Sequence, residues 1–357
     1  MSATTSPDLD RDAWSTVVGQ PAAVAALRGA VASPVHAWLF VGPSGAGGRS
    51  AARAFAAELF AEGAGPEEAI RHRRLAVAEQ HPDLHVVERT GAAIPIEAAR
   101  EIVRRASLSP AEGDRKVMVL DEFHLVSPAA AATLLKTIEE PPPGTYFVVL
   151  ADEVTPDLVT IASRCARVDF PPLSDDTVRD ALVAEGADPG RAAEAAAAAH
   201  GALDRARLLV ADDRLALRVR LWREIPGRLD GTGHRVAALV DEIRAGIDDA
   251  AAPLAEAQAR EVAEVNERIE RYGQRGSGVR DLEARHRRAQ RRLRTDELRL
   301  GFEELADRYR SELASTADPA ALVEGLQALQ RAIEALIRNP SEELLLQSLL
   351  LQLPRLG

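Results

Sequence analysis

Short apolar runs alternate with amphipathic segments along the first half of the chain. Continuous apolar runs occupy residues 38–41, 117–120 and 146–150, and such runs are typical of strands buried on both faces of a sheet. Residues 51–62 and 128–139 lie between these runs and carry apolar residues at helical spacing. Strands that alternate with helices predict an α/β fold, with a parallel sheet covered by helices on both faces.

The pattern changes in the second half of the chain, where we expect no further strand. Residues 174–212 predict two or three short helices, and residues 213–357 predict charged helices with a glycine-rich break at 273–278. We therefore expect three domains: a sheet domain over residues 1–172, a small helical domain over 173–212, and a helical domain over the remainder.

The composition of the 357 residues is that of an ordinary soluble globular protein, with 46% apolar and 28% charged residues. The sequence has no apolar run long enough to cross a membrane and no apolar core of a signal peptide near its start. Its single cysteine, Cys165, excludes an internal disulfide and a cysteine-based zinc site. These features predict a cytoplasmic protein. The net charge of −11 limits any contact with nucleic acid to a local patch.

A glycine-rich turn joins the first apolar run to the first long helix. A phosphate-binding loop requires this order of strand, glycine loop and helix. Its usual signature is Gly, four residues, Gly, Lys and Ser or Thr; here the Lys position falls on a glycine, and a basic residue followed by Ser comes one position later. The context favours phosphate-loop ancestry, whereas the spacing argues against an intact catalytic loop, and a turn that binds nothing is the alternative. The candidate nucleotide-contacting residues of this turn are Gly42, Gly45, Gly47, Gly48, Arg49 and Ser50.

Two further motifs have residue types suited to phosphate chemistry. Asp121 and Glu122 directly follow the apolar run at 117–120, at the carboxyl end of a strand, where ligands of α/β sheets bind. Such a pair can hold a metal-bound water and polarise an attacking water, although an exposed acidic turn is the alternative. Arg164 lies in the triplet 163–165, and an arginine at a subunit edge can complete a neighbour's nucleotide site as an arginine finger.

Five motifs, in this order, resemble those of the bacterial clamp-loader family, which comprises the ATPase subunit gamma/tau and the delta prime subunit of DNA polymerase III. The resemblance is strong over residues 17–212 and looser over 300–357. It implies an AAA+ domain of the P-loop type, a small helical lid and an all-α C-terminal collar in which five subunits pack into a ring. The motifs are residues 18–20, 36–40, 134–142, the triplet Ser163, Arg164 and Cys165, and residues 339–353.

Three positions depart from the ATPase pattern of this family. The loop lacks its Lys, and Asp152 stands near the place where the ATPase has a phosphate-sensing Thr. The lid's sensor Arg is expected three residues after Gly201, but Asp204 occupies that place, with Arg205 and Arg207 out of step. Because three phosphate contacts are altered, ATP turnover is not expected.

The triplet with Arg164 is intact, so the resemblance implies a non-catalytic, delta prime-like subunit that supplies an arginine finger to a neighbour. Its expected partners are gamma/tau and delta subunits, the sliding clamp, and primed DNA through the complex, without a membrane. No cofactor is required, although Asp121 and Glu122 leave binding of Mg-ATP open. The alternatives are an ATP-hydrolysing gamma/tau-type motor that uses Arg49 and Ser50, and an AAA+ scaffold unrelated to replication, which the motifs at 134–142 and 163–165 disfavour.

The family commonly carries a four-cysteine zinc module before the turn at residues 81–83. This chain has no cysteine there, and His72, His81 and His85 are too few and too scattered to replace the module. We therefore expect these histidines to be polar surface residues and the chain to bind no zinc.

Two features of the C-terminal domain bear on its partners. The arginines of residues 285–299 fall close to one helical face; we expect a solvated face with i,i+4 ion pairs, and contact with DNA or an acidic partner is the alternative. Residues from Asn339 to Glu342 predict the start of a helix that is leucine-rich over 344–353. Its apolar surface is too wide for a helix with one face in water, which indicates either a core helix or, as the resemblance implies, part of the collar.

Overall fold

The structure is a computed structural model. It describes residues 12–89, 91, 93–211, 213–272, 277–313, 319–336, 338 and 340–356, with side chains described outside 213 and 264–281. The chain divides into two compact units, residues 1–89 with 93–211 and residues 90–92 with 212–357. The predicted limits of a lid and of a collar domain remain predictions.

The first unit contains a five-stranded, all-parallel sheet with the strand order β2-β3-β4-β1-β5. The strands are β1 (Ala37–Val41), β2 (Leu84–Val87), β3 (Lys116–Leu120), β4 (Thr145–Ala151) and β5 (Ala166–Asp169). The predicted α/β fold class is confirmed. The sequence analysis missed β5, because only Val168 of this edge strand is buried and its charged neighbours interrupt any apolar run.

Helices cover both faces of the sheet and explain the continuous apolar runs. In β3, Val117 and Val119 enter the core under α2, whereas Met118 and Leu120 enter the core under α4 and α5, as the two-residue period of a strand requires. The helices of this unit are α1 (Pro21–Ala30), α2 (Gly48–Ala61), α3 (Pro66–Val77), α4 (Ile96–Ala106), α5 (Pro128–Glu139), α6 (Val159–Ala162), α7 (Asp175–Ala184), α8 (Pro189–Ala199) and α9 (Leu203–Ala211). Short 3-10 helices span Ala13–Thr16, Phe123–Leu125 and Pro156–Leu158.

The described part of the second unit is helical. Its helices are α10 (Asp213–Arg228), α11 (Gly233–Tyr272), α12 (Ser277–Leu313), α13 (Ala320–Leu336) and α14 (Glu342–Leu350). Asn339, the predicted first residue of the leucine-rich helix, and residues 273–276 of the predicted glycine-rich break lie outside the described residues. Among the described residues, no helix combines the length and hydropathy needed to span a bilayer.

The leucine-rich helix α14 packs into the core of its own unit over part of its surface. Leu346, Leu349 and Leu350 are buried with residues of α10 to α13. Leu344 and Leu351 lie one heptad apart and are 65% and 60% exposed. The helix is therefore a core helix that also presents an apolar stripe to solvent.

Candidate functional site

The glycine-rich turn connects β1 to α2 in a shape that requires glycine. Gly47, the N-cap of α2, has φ +104°, a conformation that side chains disfavour. A Cβ atom on Gly42 would lie 1.9 Å from the carbonyl oxygen of Phe170. Gly48, Arg49 and Ser50 form the first turn of α2, where backbone N–H groups lack helical partners. The turn thus has the form of a phosphate loop.

Two neighbouring segments hold the turn in place. The Gln20 side chain is buried, and its Nε2 donates hydrogen bonds to the carbonyl oxygens of Ala46 and Pro171, both at 2.8 Å. The N–H of Leu203, at the start of α9, donates to the carbonyl oxygen of Gly45 at 2.9 Å. Because these contacts come from both sides, the turn is fixed without a ligand.

Arg49, the only basic residue of the turn, is bound by three carboxylates. Its Nε and Nη2 donate to the two carboxylate oxygens of Glu79 at 2.9 and 2.8 Å, and its Nη1 donates to Glu88 at 2.5 Å and to Asp121 at 3.0 Å. Hydrogen bonds from Arg49 lower the pKa of Glu79, and the hydrogen bond to Glu79 raises the pKa of Arg49. The guanidinium is fully engaged and serves as the counter-ion of Asp121.

Glu122 has an internal cationic partner as well. Arg89 Nη2 lies 2.9 Å from Glu122 Oε1, and the side chain of Arg89 is 1% exposed. Glu122 adopts a left-handed backbone with φ +50° and ψ +38°, which is uncommon outside glycine and typical of functional or constrained sites. Both members of the acidic pair are thus held by arginines of this chain.

The sequence analysis missed Glu79, Glu88 and Arg89. For Glu88 and Arg89 a signal was present, because they directly follow β2, and Val87 pairs with Leu120 in β3. Since parallel strands end at the same edge of the sheet, these residues had to lie beside Asp121. Glu79 carried no such signal, because it follows α3 in a left-handed turn with φ +57°.

The other two positions at which the ATPase pattern is altered, Asp152 and Asp204, are also paired with basic side chains. The backbone N–H of Asp152 donates to His124 Nδ1 at 3.2 Å, and its carboxylate lies 3.6 Å from His124 Nε2. Asp204 accepts a hydrogen bond from Arg207 at 2.8 Å, and Arg207 also binds Glu185 at 2.6 Å. The carboxylates of Asp152 and Asp204 thus stand where the ATPases have phosphate-contacting residues, and a carboxylate repels phosphate.

Arg164 lies at the opposite edge of the sheet from this cluster. It lies on the exposed surface two residues before β5 begins at Ala166, whereas Asp121 and Glu122 follow the carboxyl end of β3. Ser163 Oγ donates to the carbonyl oxygen of Thr160 at 2.9 Å, and burial raises the pKa of Cys165 to about 11. The structure therefore does not bring Arg164 to the turn of its own chain, so any nucleotide that it contacts belongs to another molecule.

The expectation of surface histidines is wrong for His72 and His81, which are 8% and 3% exposed. His81 Nδ1 accepts the N–H of Asp83 at 3.1 Å, so its Nε2 carries the proton that is shared with His72 Nδ1 at 2.8 Å. The His81 ring stacks on Phe60 with centroids 4.0 Å apart. Side-chain atoms of both histidines and of Glu112 lie within 4.8 Å of one another, but the Nε2 lone pair that a metal needs is not available in this tautomer. The absence of zinc remains a prediction.

We expect the free energy of unfolding to fall by about 2 kcal/mol between pH 7 and pH 5. Burial, with repulsion from His72, lowers the pKa of His81 from its ordinary 6.5 to about 4. Between these values the unfolded chain binds a proton that the folded chain excludes, so the stability present above pH 6.5 is lost as the pH falls. Urea unfolding at several pH values measures this loss. The variant His81→Phe should flatten the profile, and an unchanged slope would contradict the assignment.

The arginines of the segment 285–299 are mostly paired within their unit. Arg287 and Arg292 make the expected i,i+4 pairs with Glu283 and Asp296 at 3.8 and 3.6 Å. Others cross between helices: Arg285 pairs with Glu261 on α11, and Arg294 pairs with Glu342 on α14 and Asp248 on α11. Much of this charge is therefore used inside the second unit.

Comparison with known proteins identifies relatives of the first unit. Residues 19–174 match the model of a family described as DNA polymerase III, delta subunit. The delta' subunit of DNA polymerase III from Bacillus subtilis (strain 168) is 31% identical over 156 residues, 43% of this chain and 47% of that protein. The delta' subunit from Pseudomonas aeruginosa is 33% identical over 144 residues, 39% and 44%. The tau subunit from Bacillus subtilis is 32% identical over 169 residues, 46% and 30%.

The chain spans less than half the length of each of these relatives. The solved structure of a gamma subunit-related protein from Thermotoga maritima aligns over 92% of this chain and 97% of that chain, with 17% identity and a TM-score of 0.43. That similarity is too low to support an argument, so the assignment rests on the sequence matches. Residues 19–174 are thus similar to DNA polymerase III clamp-loader subunits, and the predicted resemblance to delta prime subunits is confirmed.

Proposed function

We propose that this chain is a non-catalytic, delta prime-type subunit of a clamp loader. One observation carries the proposal: Arg49 and Arg89 bind the acidic pair Asp121 and Glu122. In P-loop ATPases the corresponding groups hold Mg²⁺ and act on the attacking water. Here each carboxylate has a guanidinium partner, and the loop's only basic side chain is turned to carboxylates, so the charges that would bind Mg-ATP are already neutralised.

In this proposal, residues 1–172 form the AAA+ domain, 173–212 the lid and 213–357 the collar domain of a cytoplasmic, five-subunit arc. The other members are gamma/tau-type and delta-type subunits, and the arc opens the ring-shaped sliding clamp and places it on primed DNA. Arg164 approaches the ATP bound by the neighbouring motor subunit and stabilises the charge that develops on its terminal phosphate. The position of Arg164 at the edge away from its own phosphate loop supports a role in trans. The chain needs no zinc.

An ATP-hydrolysing gamma/tau-type subunit is the alternative, since a tau subunit matches this chain over a similar length and at similar identity. That role requires Arg49 to leave Glu79, Glu88 and Asp121 whenever ATP binds. A guanidinium with hydrogen bonds from all three of its nitrogens opposes this exchange, because each charge-assisted bond has to be replaced.

The purified chain should neither bind a fluorescent ATP analogue in the presence of Mg²⁺ nor release phosphate from ATP, yet it should assemble with tau-type and delta-type subunits of the same organism. Size-exclusion chromatography measures assembly, and a phosphate-release assay measures turnover. Steady phosphate release that is abolished by Glu122→Gln would identify a motor subunit and overturn the proposal. Failure to assemble would contradict membership of the complex.

A further inference from the structure

The guanidinium of Arg164 is held by its own chain on two sides. Its Nε lies 2.9 Å from Oε2 of Glu139, the last residue of α5. Its Nη1 donates to the carbonyl oxygen of Thr160 at 2.8 Å and lies 3.2 Å from Ser163 Oγ. Within the part of the chain that the structure describes, Nη2 donates no hydrogen bond, whereas Nη1 donates two. The guanidinium is therefore held in place and still has N–H groups of Nη2 to offer to another molecule.

The ion pair of Arg164 and Glu139 faces a cleft on the surface. Arg164 and Glu139 both line a cleft of about 560 Å³ at the amino-terminal edge of the sheet. The walls come from the residues before β1, the segment 139–146 and the start of β5. The side chains of Arg164 and Glu139 are 38% and 51% exposed, so a neighbouring molecule can reach Nη2 of Arg164 without unfolding any element.

An exposed ion pair of this kind contributes little to stability, but it restricts a long side chain. A free arginine samples many rotamers, and a guanidinium that must meet one phosphate loses this freedom on contact. The contacts with Glu139 and Thr160 remove that freedom in advance. Preorganised charge is what stabilises a transition state, because it needs no rearrangement when charge develops.

We infer that Glu139 is a positioning residue for Arg164. Glu139 holds the guanidinium so that Nη2 of Arg164 faces the terminal phosphate on the neighbouring subunit. The inference rests on the proposed role of Arg164 in trans. Glu139 does not itself touch the nucleotide. Its carboxylate lies 2.9 Å from Nε, and the N–H groups of Nη2 contact the phosphate.

The test is the steady-state ATPase activity of the reconstituted complex with clamp and primed DNA. We expect Glu139→Ala to lower kcat about 10-fold, since a misplaced group loses catalytic effect steeply with distance, and to leave the KM for ATP and the thermal midpoint of the chain unchanged. Glu139→Gln, which keeps the shape and loses the charge, should fall between wild type and Glu139→Ala. The matched control is Glu140→Ala, because Glu140 is an exposed neighbour in the same cleft and makes no described contact with Arg164.

Two comparisons separate the outcomes. If Glu139 acts through Arg164, adding Glu139→Ala to an Arg164→Ala chain lowers kcat no further; an additional 10-fold loss would overturn the inference. If Arg164→Ala lowers kcat and Glu139→Ala equals wild type or Glu140→Ala, the positioning role is wrong and the arginine finger stands. If Arg164→Ala has no effect on the assembled complex, the proposed role of Arg164 fails first.

Discussion

Replacing Arg164 with alanine should lower the ATPase rate at the neighbouring subunit's site by about 100-fold or more, since arginine fingers commonly supply larger factors. In the proposed role, the lost group is the guanidinium that stabilises charge on the terminal phosphate during transfer. Arg164 is exposed, and its contacts are confined to Glu139, Thr160 and Ser163 among the described residues, so the substitution should spare folding and assembly. Phosphate release by the reconstituted complex, with gel filtration to confirm its subunits, measures both effects.

Arg167→Ala is the matched control for this variant. Arg167 is an exposed arginine three residues along the chain, and it pairs with Asp169 at 2.8 Å on the edge strand β5. Its loss should change the ATPase rate of the complex little. An equal loss in both variants would indicate a general effect of surface charge, and an unchanged rate for Arg164→Ala would show that the finger assignment is wrong.

Replacing Arg49 with alanine should lower the free energy of unfolding by about 1–2 kcal/mol, between the values for an exposed and a buried ion pair, because these side chains are partly exposed. The change leaves Glu79, Glu88 and Asp121 close together without their shared cation. Asp121 is affected most, because burial already raises its pKa and Arg49 is the main opposing influence. Urea denaturation of the wild-type and variant chains measures the difference.

Magnesium separates this effect from a simple loss of packing. Without Arg49, the carboxylates of Glu79, Glu88 and Asp121 leave an excess of negative charge that attracts cations, although Arg53 stays 3.6 Å from Glu79. Millimolar Mg²⁺ should therefore raise the thermal midpoint of Arg49→Ala and leave that of the wild type unchanged. Arg28→Ala, which breaks an exposed pair with Asp12 at 2.7 Å, should change stability little with or without Mg²⁺. An Arg49→Ala chain that is as stable as the wild type, or that ignores Mg²⁺, would contradict the counter-ion role.

Local patterns in the sequence predicted the parts of the fold that depend on periodicity. The run at 117–120 is apolar because alternate residues of β3 enter two different cores. Four consecutive apolar residues are enough to predict such a buried strand. The helix Pro128–Glu139 spans the residues that the helical spacing of apolar positions predicted. The sequence did not predict β5, because this edge strand buries only one of its four residues and therefore has no apolar run.

The candidate site shows the same division between local and long-range information. The turn from Gly42 to Ser50, the pair Asp121 and Glu122, and Arg164 were identified by their order along the chain and their family resemblance. The carboxylates that bind Arg49 come from positions 30, 39 and 72 residues away, and His72 and His81 become a buried pair only when α3 packs against α2. Charge pairing depends on distance in space, for which the chain has no local signal.

By itself, the sequence determined the α/β class, the altered spacing of the glycine-rich turn and the family resemblance of residues 19–174, because each depends on consecutive residues or short motifs. Only the tertiary structure decided which carboxylates bind Arg49. The first-turn arginine of a phosphate loop can bind phosphate or carboxylate equally well by its chemistry. Here the sheet brings Glu88 and Asp121 to one edge, with Glu79 beside them, and these carboxylates bind Arg49.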